Sequence, residues 1–175
     1  MLQSKLNRLF LAAAVATAVG AAACSDDDPV VVPPVSKTVT FKATMNGASE
    51  NPANTTTGTG SFTATLDTST NVFTYDFTFS GLTSNVNNGH IHGPALVGVN
   101  ASTTINFNTL AGATFSFGQT SGTGHGTVTL TSATQITTTI NGDSLKKLLF
   151  AGLTYANIHT VNNPGGEIRG QITKQ

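Results

Sequence analysis

Alternation with period two runs through the chain from Val39 to its C-terminal end, and no other feature restricts the fold as much. In "NVFTYDFTF" the residues Phe73, Tyr75, Phe77 and Phe79 fall on one face, and Val72, Thr74, Asp76 and Thr78 on the other. This is the pattern of a strand that buries one side and wets the other. The same alternation sets Val39, Phe41, Ala43 and Met45 against Thr40, Lys42 and Thr44, and Phe62, Ala64 and Leu66 against Ser61, Thr63 and Thr65. Near the end Ile168, Gly170 and Ile172 alternate with Glu167, Arg169 and Gln171, and a shorter run places Val128 and Leu130 together. Turn-forming clusters ("DTSTN", "SGLTSNVNNG", "NNPGG") separate the runs. Short strands at this spacing imply an all-β, antiparallel sandwich or barrel.

Composition fits that architecture. Charged residues make up only 9% of the chain, against about a quarter in an average globular protein. Thr, Ser and Asn take their place, and β-branched Thr suits the solvent face of a strand. Ten Phe supply a core without any Trp. The exception to the β pattern is "GDSLKKLLFAG", where Leu145, Leu148 and Leu149 share a helical face. Asp143 or Ser144 can cap its start and Gly152 its end, so one short helix is expected near 143–151. The glycines of Gly58-Thr59-Gly60-Ser61 and of "SGTGHG" at 121–126 read as turns. On that reading His125 is an exposed loop residue. Asp67 opens a turn.

The first residues, "MLQSKLNRLFLAAAVATAVGAAAC", have the form of an export signal: Lys5 and Arg8, then an apolar run, then small residues before Cys24. The apolar run is short for a membrane span, which needs about 20 residues. Ala21-Ala22-Ala23-Cys24 resembles a bacterial lipobox, with Ala21 where Leu is usual. That resemblance implies a diacylglycerol on the sulfur of Cys24 and an anchored, exported protein at the outer membrane or cell surface. The expected division is a signal peptide over 1–23, an acidic, Pro-rich tether over 24–37, and a β-domain over 38–175. A lone cysteine is consistent with acylation rather than a disulfide.

Function is less constrained. No basic stripe exists for nucleic acid. Carboxylates in the body are few (Glu50, Asp67, Asp76, Asp143 and Glu167) and no nucleophile-elbow motif occurs, so no catalytic set emerges. "NGHIHGPALVG" is the stretch with chemical potential. On a strand His90 and His92 project from one face, about 6–7 Å apart, and His159 in "YANIHT" can supply a third nitrogen. Three neutral imidazoles suit copper or zinc. Histidines near strand ends equally often bond loop backbone, and Asn157, His159, Thr160, Glu167 and Arg169 can form a polar network that holds a corner of the domain. The metal reading requires the three imidazoles to converge to within about 4–5 Å, and a wider separation would rule out the site as drawn.

The combination of "GSFTATLDTSTNVFTYDFTFSGLTS", "HIHGPALVG", "LLFAGLTYANIHT" and "NNPGGEIRGQI" resembles the CHRD domain, first described in chordin, over about residues 40–173. The resemblance implies an immunoglobulin-like β-sandwich or barrel. "ASENPANTTTG" lacks the double proline frequent in the family, and "GHG" has no counterpart in its pattern. The family says little about biochemistry, and a fold does not fix a function. Two expectations follow: a lipid-anchored, non-enzymatic module of the cell envelope that binds a protein or glycan partner, or a copper- or zinc-binding protein. The H-x-H strand is similar in geometry to the copper-site strand of copper–zinc superoxide dismutase, but the other ligands of such an enzyme have no place here, so a dismutase-like redox activity is not assigned.

Overall fold

The structure, a computed structural model, describes residues 37–175. The expected signal peptide, Cys24 and most of the expected tether lie outside the described residues. The elements are β1 (Thr38–Asn46), a single 3-10 turn (Gly47–Ser49), β2 (Thr59–Asp67), β3 (Val72–Ser80), β4 (Val86–His92), β5 (Thr103–Asn106), β6 (Thr114–Phe115), β7 (Gly122–Thr129), α1 (Gly142–Phe150), β8 (Thr154–Thr160) and β9 (Ile168–Lys174). They form one antiparallel sheet in the order β5-β4-β8-β9-β1-β2-β3-β7-β6.

The sheet curls into a half-barrel, so that the β5-β4-β8-β9 half faces the rest. Phe107, just after β5, stacks on Phe77 of β3 with ring centroids 4.4 Å apart. At the rim the Val86 amide donates to Gln119 O (2.9 Å) and the Gly118 amide to Val86 O (2.9 Å). The fold is therefore all-β with one short helix, as the alternation requires. Phe41, Phe62, Phe73, Tyr75 and Phe107 are fully buried between the halves, with Ile91, Ile158, Ile168 and Ile172 from the other side. Each such side chain contributes roughly 1.5–3 kcal/mol of burial free energy.

Two local expectations are corrected. "GTGHG" is not a turn but the first part of β7, and Gly122, Gly124 and Gly126 stand opposite Phe79, Phe77 and Tyr75 of β3. A Cβ on Gly124 would lie 2.0 Å from the Phe77 ring, and one on Gly126 2.3 Å from the Tyr75 hydroxyl. Here glycine makes room for aromatic rings from the neighbouring strand. His125 is accordingly a strand residue on the outer face, with Nδ1 2.8 Å from Asp76 Oδ1. Gly60 likewise lies inside β2, where a Cβ would meet Met45 Cε at 2.7 Å. The second correction concerns the helix cap, which is Asn141: its Oδ1 accepts from the Ser144 amide at 2.9 Å. Asp143 sits in the first turn and pairs with Lys146 at 3.0 Å. Leu145 and Leu149 face the core, and Gly152, with φ of 67°, ends the helix as expected.

Candidate metal centre

Strands β4 and β8 place the histidines. Their antiparallel register sets His92 opposite Tyr155, His90 opposite Asn157 and Asn88 opposite His159. Residues two apart share a face, so His90, His92, Tyr155, Asn157 and His159 all project from the outer side, while Ile91, Ala156 and Ile158 enter the core. The outer side is not open to water. Every residue of β8 is buried, because loops from three parts of the chain fold over it: residues 47–54, 93–102 and 161–167.

His90 Nδ1 lies 3.0 Å from His159 Nε2. Ring centroids are 5.1 Å apart for His90 and His92, and 6.1 Å for His92 and His159. One nitrogen from each of the three rings falls within 4.8 Å of the other two, which meets the convergence criterion.

Backbone carbonyls decide which nitrogens face inward. His92 Nδ1 is 2.9 Å from Ala101 O, and His159 Nδ1 is 2.9 Å from Pro164 O. A carbonyl only accepts, so each Nδ1 carries the hydrogen and each Nε2 keeps its lone pair. His90 Nδ1–H then donates to His159 Nε2. The Nε2 of His92 is buried and has no hydrogen-bond partner, a state that costs about 1–3 kcal/mol in an interior. Fixing Nδ1 on a carbonyl so that Nε2 is presented is the usual outer support of a metal-binding histidine.

The rings are held neutral. Burial pushes the pKa of His90 down to about 4, reinforced by His159 and His92. His92 is also lowered to about 4: burial dominates, the Ala101 carbonyl opposes it, and His159 and Arg169 add to it. For His159 burial lowers the pKa despite the Pro164 carbonyl. Neutral imidazole is the form that binds a metal.

Packing fixes the cluster further. The Tyr155 ring stacks on His92, 4.7 Å away and within 6° of parallel, and Arg169 Cζ lies 3.4 Å from the Tyr155 centroid. Arg169 donates to Asn100 Oδ1 (2.9 Å) and Val99 O (2.6 Å), and the Ala101 amide donates to the Tyr155 hydroxyl (3.2 Å). The loop that supplies the Ala101 carbonyl is thereby tied to the side chains beneath it.

The polar residues expected as one network serve different partners: Asn157 and His159 lie on this covered side, whereas Thr160, two residues after Ile158, points to the other face of β8 and meets Glu167. Glu167 accepts from Thr56 Oγ1 (2.7 Å), from the amide (2.7 Å) and Oγ1 (2.9 Å) of Thr83, from Thr160 Oγ1 (2.6 Å) and from Asn163 Nδ2 (3.1 Å). Burial raises its pKa, but these bonds prevail and hold the carboxylate below the ordinary range. Asn157 donates to the Glu50 carboxylate. Glu50 is pushed up to about 7 by burial, against the attraction of Arg169 and the bonds from Asn157 and Asn51. Sequence reasoning missed Tyr155, Glu50 and the two carbonyls. Tyr155 had a signal, since it shares the period-two face of Asn157 and His159. The carbonyls had none, because any residue provides one.

Fold and site together define a small β-domain with three neutral histidines gathered under loops on the outer side of a curled sheet. The chain belongs to the CHRD domain family, whose model matches residues 41–172. Comparison with curated proteins finds no match, and comparison with solved structures finds none either.

Proposed function

We propose that the domain binds one copper or zinc ion through His92 Nε2, His159 Nε2 and His90 Nδ1, the last freed as the proton of the His90 ring moves to its Nε2. The observation that carries this reading is the buried, unpartnered Nε2 of His92 in a cluster whose three rings each bring one nitrogen within 4.8 Å of the others. Ligand nitrogens around a tetrahedral ion bound at 2.0–2.1 Å lie about 3.3 Å apart, close to the 3.0 Å between His90 and His159. His90 is the least buried of the three, so the ion and any fourth ligand enter on its side. Copper is favoured by the order of affinities for nitrogen sites. Titration of metal-stripped protein with copper and with zinc, followed by elemental analysis, should give one ion per chain. His92→Ala should weaken binding by about 100-fold or more, whereas His125→Ala, on the opposite half of the sheet, should not. A His92→Ala protein that binds as tightly as the parent overturns the proposal.

The leader supports a companion proposal of export and anchoring by lipid on Cys24, in which the domain serves as a non-enzymatic binding module of the bacterial envelope. Mass spectrometry of the membrane fraction tests this: the N-terminal peptide should begin at Cys24 and carry acyl chains, and a Cys24→Ser chain should be released.

A further inference from the structure

Charge is spread unevenly over the described domain. Of its lysines, Lys37, Lys146, Lys147 and Lys174 lie around one end, and Lys42, on the outer face of the sheet, stands opposite Thr173, next to Lys174. The Lys37 carbonyl accepts from the amide (3.1 Å) and hydroxyl (2.9 Å) of Thr68. Thr68, with Asn71, Lys146, Lys147, Phe150 and Ala151, lines a cleft of about 570 Å³. Lys174 Nζ stands 5.5 Å from the centroid of the Phe150 ring, which is 41% exposed. Asp143, on Lys146, and Asp67, at the end of β2, offset part of this charge. The lysines outnumber them.

This is also the end where the chain enters the domain, since Lys37 immediately precedes β1. Residues 25–36 separate it from Cys24, a stretch that reaches at most about 40 Å fully extended. The histidines lie the other way. Asn46, the last residue of β1, pairs with Arg169, and Arg169 with Asn157, two residues short of His159. The cluster is thus about 25–30 Å along the strands from Lys37.

We propose that the end formed by Lys37, Lys147, Phe150 and Lys174 docks on an anionic lipid surface, the ammonium groups on headgroup phosphates and Phe150 at the interface. Lysines near such a surface attract it additively, and aromatic rings favour the headgroup boundary. The entry point of the tether and the excess of cations both select lipid as the occupant. Docking turns the histidine cluster away from the membrane. The proposal draws on the reading of Cys24 as the anchor, and its test supplies the anchor chemically so that the two fail separately.

The mature chain, residues 24–175, is coupled through its lone cysteine to maleimide-bearing vesicles of phosphatidylcholine, or of phosphatidylcholine with about 30% phosphatidylglycerol. Acylation rates at each lysine are read by mass spectrometry, with the uncoupled chain as reference. Labelling of Lys147 and Lys174 should be about threefold slower on the anionic vesicles than on the neutral ones, with recovery in about 0.5 M salt. Equal rates on both vesicles overturn the proposal. So does equal protection in the uncoupled chain, which would assign the lysines to the chain's own Asp26-Asp27-Asp28.

Discussion

His90 Nδ1 and His159 Nε2 stand 3.0 Å apart although 69 residues separate them in the chain. Adjacent strands with His159 diagonal to His90 bring this about, and the Pro164 carbonyl sets the tautomer of His159 that accepts the bond. The contact joins two neutral rings, both with depressed pKa values. A proton and a metal ion therefore compete for the same lone pairs, and several outcomes can be measured.

Tyr155 should act on the metal through His92, which it stacks upon. Tyr155→Leu removes the flat surface shared by His92 and Arg169 and should weaken metal binding about 10- to 100-fold. Tyr155→Phe keeps the stack and loses the hydroxyl's bonds with Ala101, from its amide (3.2 Å) and to its carbonyl (3.5 Å), so its loss should stay below about tenfold. Calorimetric titration of both variants separates stacking from the hydroxyl. Equal losses would show that the hydroxyl, not the ring, sets the geometry.

The histidines should make the metal-free fold acid-sensitive. His90 and His92 titrate at about 4 in the folded chain, against 6.5 for the free side chain. Between those values the unfolded chain binds more protons, so stability rises with pH. The contribution is complete above about 6.5 and is lost as pH falls through about 4. Urea unfolding in the presence of a chelator should show that slope, and His90→Gln should reduce it.

How much of this was readable in the sequence depends on whether the information is local. Alternation is local, so the strands carrying Phe73 to Phe79 and Ile168 to Ile172 stood out, as did the shared face of His90 and His92. Gly124 and Gly126 were misread because their reason lies across the sheet, in the rings of Phe77 and Tyr75. His125 was placed in a loop for the same cause. Burial of both faces of β8 was hidden too, since the loops over its outer side come from three distant segments. Only the fold turns Asn157, Thr160, Glu167 and Arg169 from a list of polar residues into separate clamps.

Gly124→Ala should test the aromatic packing. Its new methyl would fall 2.0 Å from the Phe77 ring, and that ring is held by Phe107 at 4.4 Å and Phe115 at 5.3 Å. Neither neighbour can retreat without displacing a second ring. Overpacking of this kind costs about 1–3 kcal/mol, so the melting temperature should drop by several degrees. Paired substitution with Phe77→Leu should recover part of the loss, whereas a purely additive double variant would mean the glycine is there for backbone reasons.

Glu50 should give the opposite pH signature to the histidines. It is 8% exposed and accepts a hydrogen bond from Asn157. Burial raises its pKa from 4.5 to about 7, more than the Arg169 charge and the bonds from Asn157 and Asn51 can lower it. Between those values the folded chain holds a proton that the unfolded chain has released, so stability falls as pH rises. The contribution is full below about 4.5 and is gone above about 7. Glu50→Gln keeps an acceptor for Asn157 but cannot ionise. It should match the parent near pH 4 and exceed it at pH 8 by at most about 3 kcal/mol, and by less where solvent reaches the carboxyl. The check is urea unfolding of both proteins, metal-free, at those two pH values. A variant less stable than the parent at pH 8 would mean that the ionised carboxylate, drawn to Arg169, holds residues 47–54 over the histidines.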